Sequence, residues 1–310
     1  MALNTINKEI LTPAFLKEED TIGIISTARK ISKEELEPSI QMIEQFGFKV
    51  LLGSHLFNQD HQFSGSDQER VNDLHEMFLN SKIKAVLMAR GGYGTVRLLS
   101  LIDRKIIENN PKWLIGYSDV TVLHSYFHQV LNIQTLHATM PINLSAYNSE
   151  DLPVQSLFNF LKGEGLTYQV PSSSLDRCGE AEGVLVGGNL SILYSLRGTL
   201  ADIDTDGKIL FIEDLDEYLY HIDRMMMNLK LGGKLDKLKA LIVGGMSDMN
   251  DNTIPFGKSA KTIIHDAVEE FNYPVLFDFP AGHQHDNLAL PLGQKVKLTV
   301  TSISSTLLSL

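Results

Sequence analysis

Cysteine is almost missing from this chain: Cys178 is the single one among 310 residues. No disulfide can therefore close within it, and no thiolate cluster is available to hold a metal. No apolar run approaches the ~20 residues that a helix needs to cross a bilayer. Basic residues are outnumbered, 27 Lys and Arg against 38 Asp and Glu for a formal net charge of −11, and they form no long run. Nucleic acid and anionic membrane are thereby excluded as partners, because both demand clustered positive charge to displace counterions. The start, MALNTINKEILTPAFLKEED, lacks a cationic flank followed by an apolar core. It does not resemble a secretory signal, and a cytoplasmic location is expected. Internal repeats and low-complexity tracts are absent as well.

What remains is an ordinary globular composition, 43% hydrophobic and 21% charged, in a chain long enough for two cores. From Thr21 the pattern alternates. TIGIIS (Thr21 to Ser26), KVLL (Lys49 to Leu52), AVLM (Ala85 to Met88), WLIG (Trp113 to Gly116) and QTLH (Gln134 to His137) read as short buried strands. Between them, helical periodicity opens twice on a capping-box spacing, Ser32 with Glu35 and Ser66 with Glu69. Strand, helix, strand in this rhythm calls for right-handed crossovers and a parallel sheet covered on both faces. Residues 1–145 are expected to form this first α/β domain, with function at the carboxyl ends of its strands. Residues 146–180 break the pattern with Ser149-Glu150-Asp151, Pro153 and Pro171-Ser172-Ser173-Ser174, and read as a linker. Residues 181–310 resume as a second α/β domain with a mixed sheet. Its strands are EGVLVGG, ILFIE, ALIVGG and PVLFDF, followed by KVKLTVTS, whose alternation suits a half-exposed antiparallel strand.

Four strand ends carry polar or glycine residues. Arg90-Gly91-Gly92-Tyr93-Gly94 follows AVLM; three glycines in four positions bring backbone close to a ligand and suit an oxyanion hole, although a plain strand-to-helix turn also uses them. Gly116-Tyr117-Ser118-Asp119 resembles a nucleophile elbow, with Val120 where the usual pattern has its second glycine. A serine there can equally be a helix N-cap. Glu213 ends strand ILFIE, where packing can hold a carboxylate to orient an imidazole; Glu217 is the reserve. His283 and His285 follow PVLFDF, and an imidazole with a pKa of ~6.5 serves as a general base near neutrality. His283-x-His285-Asp286 also has metal-pair spacing, but no further ligand motif such as H-E-x-x-H accompanies it, so neither a metal nor a cofactor is expected.

Taken together, FSGSDQERVNDLHEMF (Phe63 to Phe78), ARGGYGTVRLL, IGYSDVTVLH, GVLVGGNLS, LFIEDLDE and AGHQHDNLALPLG span most of the chain in one order. In this the chain resembles the LD-carboxypeptidase family of serine peptidases, whose relatives include the microcin C immunity peptidases. It departs from the family pattern at His137-Ala138-Thr139-Met140, where a glycine-proline pair is expected after the histidine. The resemblance implies Ser118 as nucleophile, His283 as general base and acid, and Glu213 as the group orienting it. It further implies an oxyanion hole from the backbone N–H groups of Gly92 and Asp119, a muropeptide substrate that loses a terminal D-alanine, and a homodimer.

A carboxypeptidase must also bind a free carboxylate, and Arg90 and Arg224 are the candidates for that task. Two other readings compete. One is a microcin-immunity type cleaving a peptidyl-nucleotide amide; such an enzyme wants an aromatic surface for the base, and the only tryptophan, Trp113, falls in a strand expected to be buried. The other is a two-domain protein that closes on a small molecule without chemistry.

Overall fold

A computed structural model describes residues 10–310. The first nine residues of the stretch read above for a secretory signal lie outside the described residues. The first half alternates as its periodicity requires: β1 (Thr21–Ile25), α1 (Lys33–Gln45), β2 (Lys49–Leu52), α2 (Asp67–Leu79), β3 (Ile83–Met88), α3 (Arg104–Glu108), β4 (Trp113–Gly116), α4 (Thr121–Tyr126) and β5 (Thr135–His137). Both capping boxes form. Ser32 and Ser66 each accept from the backbone of the glutamate three residues on, and each glutamate returns a bond to the cap.

The remainder comprises α5 (Pro141–Leu144), α6 (Leu152–Leu161), β6 (Thr167–Pro171), β7 (Gly179–Asn189), α7 (Leu190–Ser195), β8 (Ile209–Leu215), α8 (Leu219–Leu231), β9 (Ala240–Ser247), α9 (Ala260–Ala267), β10 (Val275–Leu276), β11 (Leu290–Leu292), β12 (Lys295–Val300) and β13 (Ser304–Ser309). Two sheets result. The first has the order β11-β5-β4-β3-β1-β2, parallel except for β11, which runs antiparallel to β5. The second has the order β10-β9-β8-β7-β12-β13-β6; its first four strands are parallel and the rest antiparallel, so it is mixed.

Strand alternation sorts the core. In the first sheet Ile22, Ile24, Ala85, Leu87, Trp113 and Ile115 face α1 and α6, while Ile25, Val86, Met88 and Leu114 face α2 and α4. In the second, Val186, Leu210, Ile212, Leu241 and Val243 pack under α7, α8 and α9, while Leu185, Ile209, Phe211 and Ile242 face the antiparallel strands. Both sheets are thus covered on two faces, which is why their parallel strands read as continuous apolar runs.

One expectation needs correction. Residues 146–180 are not a bare linker: Val154, Leu157, Phe158, Phe160 and Leu161 of α6 lie in the core of the first sheet, and β6 is the outer strand of the second. Its Pro and Ser punctuation marks the ends of these elements, with Pro153 in the first turn of α6, where a missing N–H is harmless. The parallel sheet expected of the first half forms from β1 to β5, and β11, from the carboxyl-terminal part of the chain, joins it antiparallel at the β5 edge. Shorter than expected is β10, confined to Val275–Leu276 within PVLFDF.

Trp113 is fully buried, stacked on Phe15 at 5.7 Å and edge-on to Phe160 at 5.1 Å between ring centroids. Removing so large a buried ring leaves a cavity that the surrounding sheet cannot close. Trp113→Ala is expected to cost about 3–5 kcal/mol, read as a lowered midpoint in denaturant unfolding with the slope unchanged. A loss below about 1 kcal/mol would show that the ring does not anchor this core.

Candidate active site

Where β4 ends, the backbone turns sharply: Ser118 sits at φ +65°, a left-handed conformation that a side chain adopts only under constraint. A short 3-10 turn, Ser118–Val120, then leads into α4. The strain lifts the Ser118 hydroxyl off the end of the sheet. Against it lies Gly91, whose absent side chain is required, since a Cβ built there would stand 2.9 Å from Ser118 Cβ and 3.1 Å from its Oγ.

The glycine loop is held in place from both sides. Thr95 N–H donates to Asp119 Oδ2 at 2.9 Å, and the hydroxyls of Thr95 and Thr27 lie 2.9 Å apart. Arg29 N–H donates to the Gly91 carbonyl at 3.3 Å. In a trans peptide the N–H of Gly92 then points the opposite way from that carbonyl. Asp119 is buried, and burial pushes its carboxyl up while the Thr95 bonds pull it down.

The second sheet supplies the other two groups. Glu213 lies within β8 with no exposure, and His283 sits on the loop after β10, its side chain 15% exposed. His283 Nδ1 meets Glu213 Oε2 at 2.7 Å, and His283 Nε2 meets Ser118 Oγ at 3.0 Å. The His283 backbone N–H donates to the same carboxylate oxygen at 3.1 Å. Burial pushes the imidazole down, but the Glu213 charge and hydrogen bond outweigh it, so His283 ends above its ordinary value. Burial raises Glu213 in turn, and the attraction of His283 reverses that and leaves it below the usual carboxylate range.

Several residues that build this junction were not among the site residues named from the sequence. Asn189, paired in register with Glu213, donates its backbone N–H to Thr121 Oγ1 at 3.0 Å and so fastens the end of β7 to the first turn of α4. Asn287 Oδ1 accepts from Gly282 N–H at 2.8 Å and lies 3.3 Å from His137 Nε2, which ties the His283 loop to the end of β5. His137 is fully buried and pushed down to about 4, so at neutral pH it is an uncharged brace. The unusual run after it, at Ala138 to Met140, packs Met140 near Gly91. Asp214, next to Glu213 but on the opposite face of the strand, accepts from Asn189 Nδ2 at 2.9 Å and Ser191 N–H at 2.8 Å; burial and the neighbouring Glu213 charge push it up to about 7.

The remaining candidates separate. Glu217, the reserve, pairs with His221 at 2.6 Å on α8 rather than with His283. His285 is turned to solvent beside Asp286 at 2.9 Å, so it and His283 make unrelated contacts. Among the described residues no three His, Cys, Asp or Glu side chains group to hold a metal ion. Arg90 reaches the Lys30 carbonyl and Glu35, and Arg224 is exposed on α8 with its guanidinium over the Tyr220 ring at 5.2 Å. A cavity of about 330 Å³ opens between α6, β6 and the His283 loop, lined by Gln155, Asn159, Tyr168 and Asp286; the hydroxyl, imidazole and carboxylate lie outside its lining. No helix among the described residues is long and apolar enough to cross a membrane.

A hydroxyl, an imidazole and a buried carboxylate linked in this order, across two α/β units, form the constellation of a serine hydrolase. Residues 22–138 match the LD-carboxypeptidase N-terminal domain, and residues 182–298 match the LD-carboxypeptidase C-terminal domain. The chain belongs to the LD-carboxypeptidase family and is a serine-type carboxypeptidase. It is 38% identical to a probable murein peptide carboxypeptidase of Bacillus subtilis, over 92% of this chain and 91% of that protein. It is 27% identical to the microcin C7 self-immunity protein of Escherichia coli, over 94% of each. Its fold superposes on the crystal structure of muramoyltetrapeptide carboxypeptidase from Oxalobacter formigenes with a TM-score of 0.86 at 26% identity, covering 93% of this chain and 98% of the other.

The balance of burial against pairing gives a direct test by NMR titration of the imidazole. His283 is expected to titrate above 6.5, and Glu213→Gln to lower that pKa, since the main charge opposing burial is then gone. An unchanged value in the Glu213→Gln variant would mean that the carboxylate does not govern the imidazole.

Proposed function

We propose that this protein is a metal-independent serine carboxypeptidase that removes the terminal D-alanine from murein tetrapeptides in the cytoplasm, acting as a homodimer in cell-wall recycling. The observation that carries the reading is the unbroken chain from Glu213 through His283 to the Ser118 hydroxyl, 2.7 Å and 3.0 Å long in its two links. Ser118 attacks the scissile carbonyl while His283 Nε2 takes its proton; Glu213 holds Nδ1–H, fixes the tautomer and stabilises the imidazolium. The N–H groups of Gly92 and Asp119 receive the developing oxyanion, and each such donor is worth ~3 kcal/mol. His283 then protonates the departing amine, and water, activated by the same imidazole, releases the peptide from Ser118. Every proton transfer is accounted for by these side chains, so the scheme has no step for a metal-bound water.

The choice of peptide draws on the murein substrates that two of the similar proteins are named for. The microcin-immunity relative makes a nucleotide amide the rival substrate. Burial of Trp113 favours the muropeptide, because the only tryptophan of the chain is thereby withdrawn from any base.

The test is release of D-alanine from a UDP-linked muramyl tetrapeptide, with and without EDTA. Wild type is expected to release it equally in both, and Ser118→Ala to lose at least about 10⁴-fold in kcat while keeping its thermal midpoint. An alanine variant that still turns over, or loss of activity with the chelator, would overturn the mechanism. Only the neutral imidazole accepts the serine proton. The acid limb of kcat/KM is therefore expected to have its midpoint above 6.5, the direction in which Glu213 moves His283, and activity should fall as pH drops through it. A midpoint below that value would contradict the role given to Glu213.

A further inference from the structure

We propose that Arg29 binds the terminal carboxylate of the substrate and so makes this site selective for free-acid peptides; the inference rests on the carboxypeptidase reading above and assigns the residue that enforces it. Four arginines surround the glycine loop. Arg70 and Arg97 are both held by Asp67, the latter at 2.8 Å, and Arg90 faces Glu35 at 3.5 Å. Arg29 differs, being exposed with no hydrogen-bond or ion-pair partner for its guanidinium among the described residues. In a chain of net charge −11, a cation left without such a partner over the glycine loop is the group available to an anionic ligand.

Its backbone and stem are firmly seated. The Arg29 carbonyl accepts from Ser26 Oγ at 2.5 Å, its N–H donates to the Gly91 carbonyl, and it bridges to Phe63. Its stem lies across Gly92, at φ +112°, where an added Cβ would stand 2.2 Å from Arg29 Cδ and 2.4 Å from Cγ. Gly91 touches Ser118 and Gly92 touches Arg29, so nucleophile and arginine stem contact successive residues of one loop. That spacing fits the chemistry. In a carboxypeptidase the carboxylate belongs to the residue just past the scissile bond, so its receptor must lie within about one residue, ~3.8 Å of chain, from the reacting carbonyl. A guanidinium meets both carboxylate oxygens at once, which neither a terminal amide nor a longer peptide offers.

The experiment compares binding of a murein tetrapeptide and its C-terminal amide by calorimetry to the full-length Ser118→Ala protein, which holds ligand without turnover. The free acid is expected to bind about tenfold or more tightly than the amide. Adding Arg29→Ala or Arg29→Gln should erase that preference, and Arg29→Lys should keep part of it. Arg29→Gln preserves the stem over Gly92, and the backbone bonds of Arg29 survive every substitution, so all variants should fold with unchanged thermal midpoints. In the otherwise wild-type enzyme, Arg29→Gln should raise KM for the free acid more than it lowers kcat. If the acid preference persists without Arg29, the assignment falls while the carboxypeptidase reading stands. If the Ser118→Ala protein binds neither peptide, the murein reading falls and takes this role with it.

Discussion

A hydrogen bond of 3.0 Å joins His283 to Ser118 across 165 residues of chain and between two sheets, and the rest of the molecule serves to hold those two atoms at that distance. A misplacement of about 1 Å can cost about 10²-fold in rate, so the sheets must be rigid with respect to each other. Three devices provide this. Asn189 fastens β7 to α4 through the Thr121 hydroxyl. Leu196 and Ala201, which follow β7, pack into the core of the first sheet. β11 pairs with β5 in the first sheet while its Leu290 and Leu292 sit in the core of the second, so one short strand belongs to both.

Electrostatics at the junction are decided by pairing rather than by burial. Alone, an apolar surrounding would keep Glu213 protonated and His283 neutral. Each reverses the other, and the pair holds a carboxylate in a place without exposure. Asp214 shows the alternative. One residue further along β8 and on the other face, it is bound by an amide and backbone N–H groups without a cation, and it is pushed up to about 7. Two adjacent acids of one strand are thus shifted in opposite directions because strand alternation sends them to different neighbours.

Much of this was legible from the residues. Short apolar runs bounded by glycine, serine and aspartate marked the strands of both sheets, and capping-box spacings marked the starts of α1 and α2. The elbow at Ser118, the glycine loop, Glu213 and His283 stood out because each follows a buried strand. What escaped was whatever depends on partners distant in sequence. α6 was hidden by the serine and proline residues around it, although its Phe158 and Phe160 fill the first core. β11 has three residues and no alternation to reveal it. Arg29 was passed over in favour of Arg90 and Arg224, because only the folded positions of Glu35 and Tyr220 show that those two are engaged.

The sequence by itself determined the class of the fold, the family, and the residue types available for chemistry, because strand and helix periods, caps and strand-end residues are local properties of a chain. It contained no measure of which strand ends would face one another. Tertiary structure alone decided that an imidazole from the second sheet lies against a hydroxyl of the first, that Asp214 and Glu217 turn elsewhere, and that the Arg29 guanidinium, over the glycine loop, has no partner among the described residues. The physical reason is that register, side-chain direction and inter-sheet packing are set by contacts between elements brought together only on folding, about which local pattern carries no information.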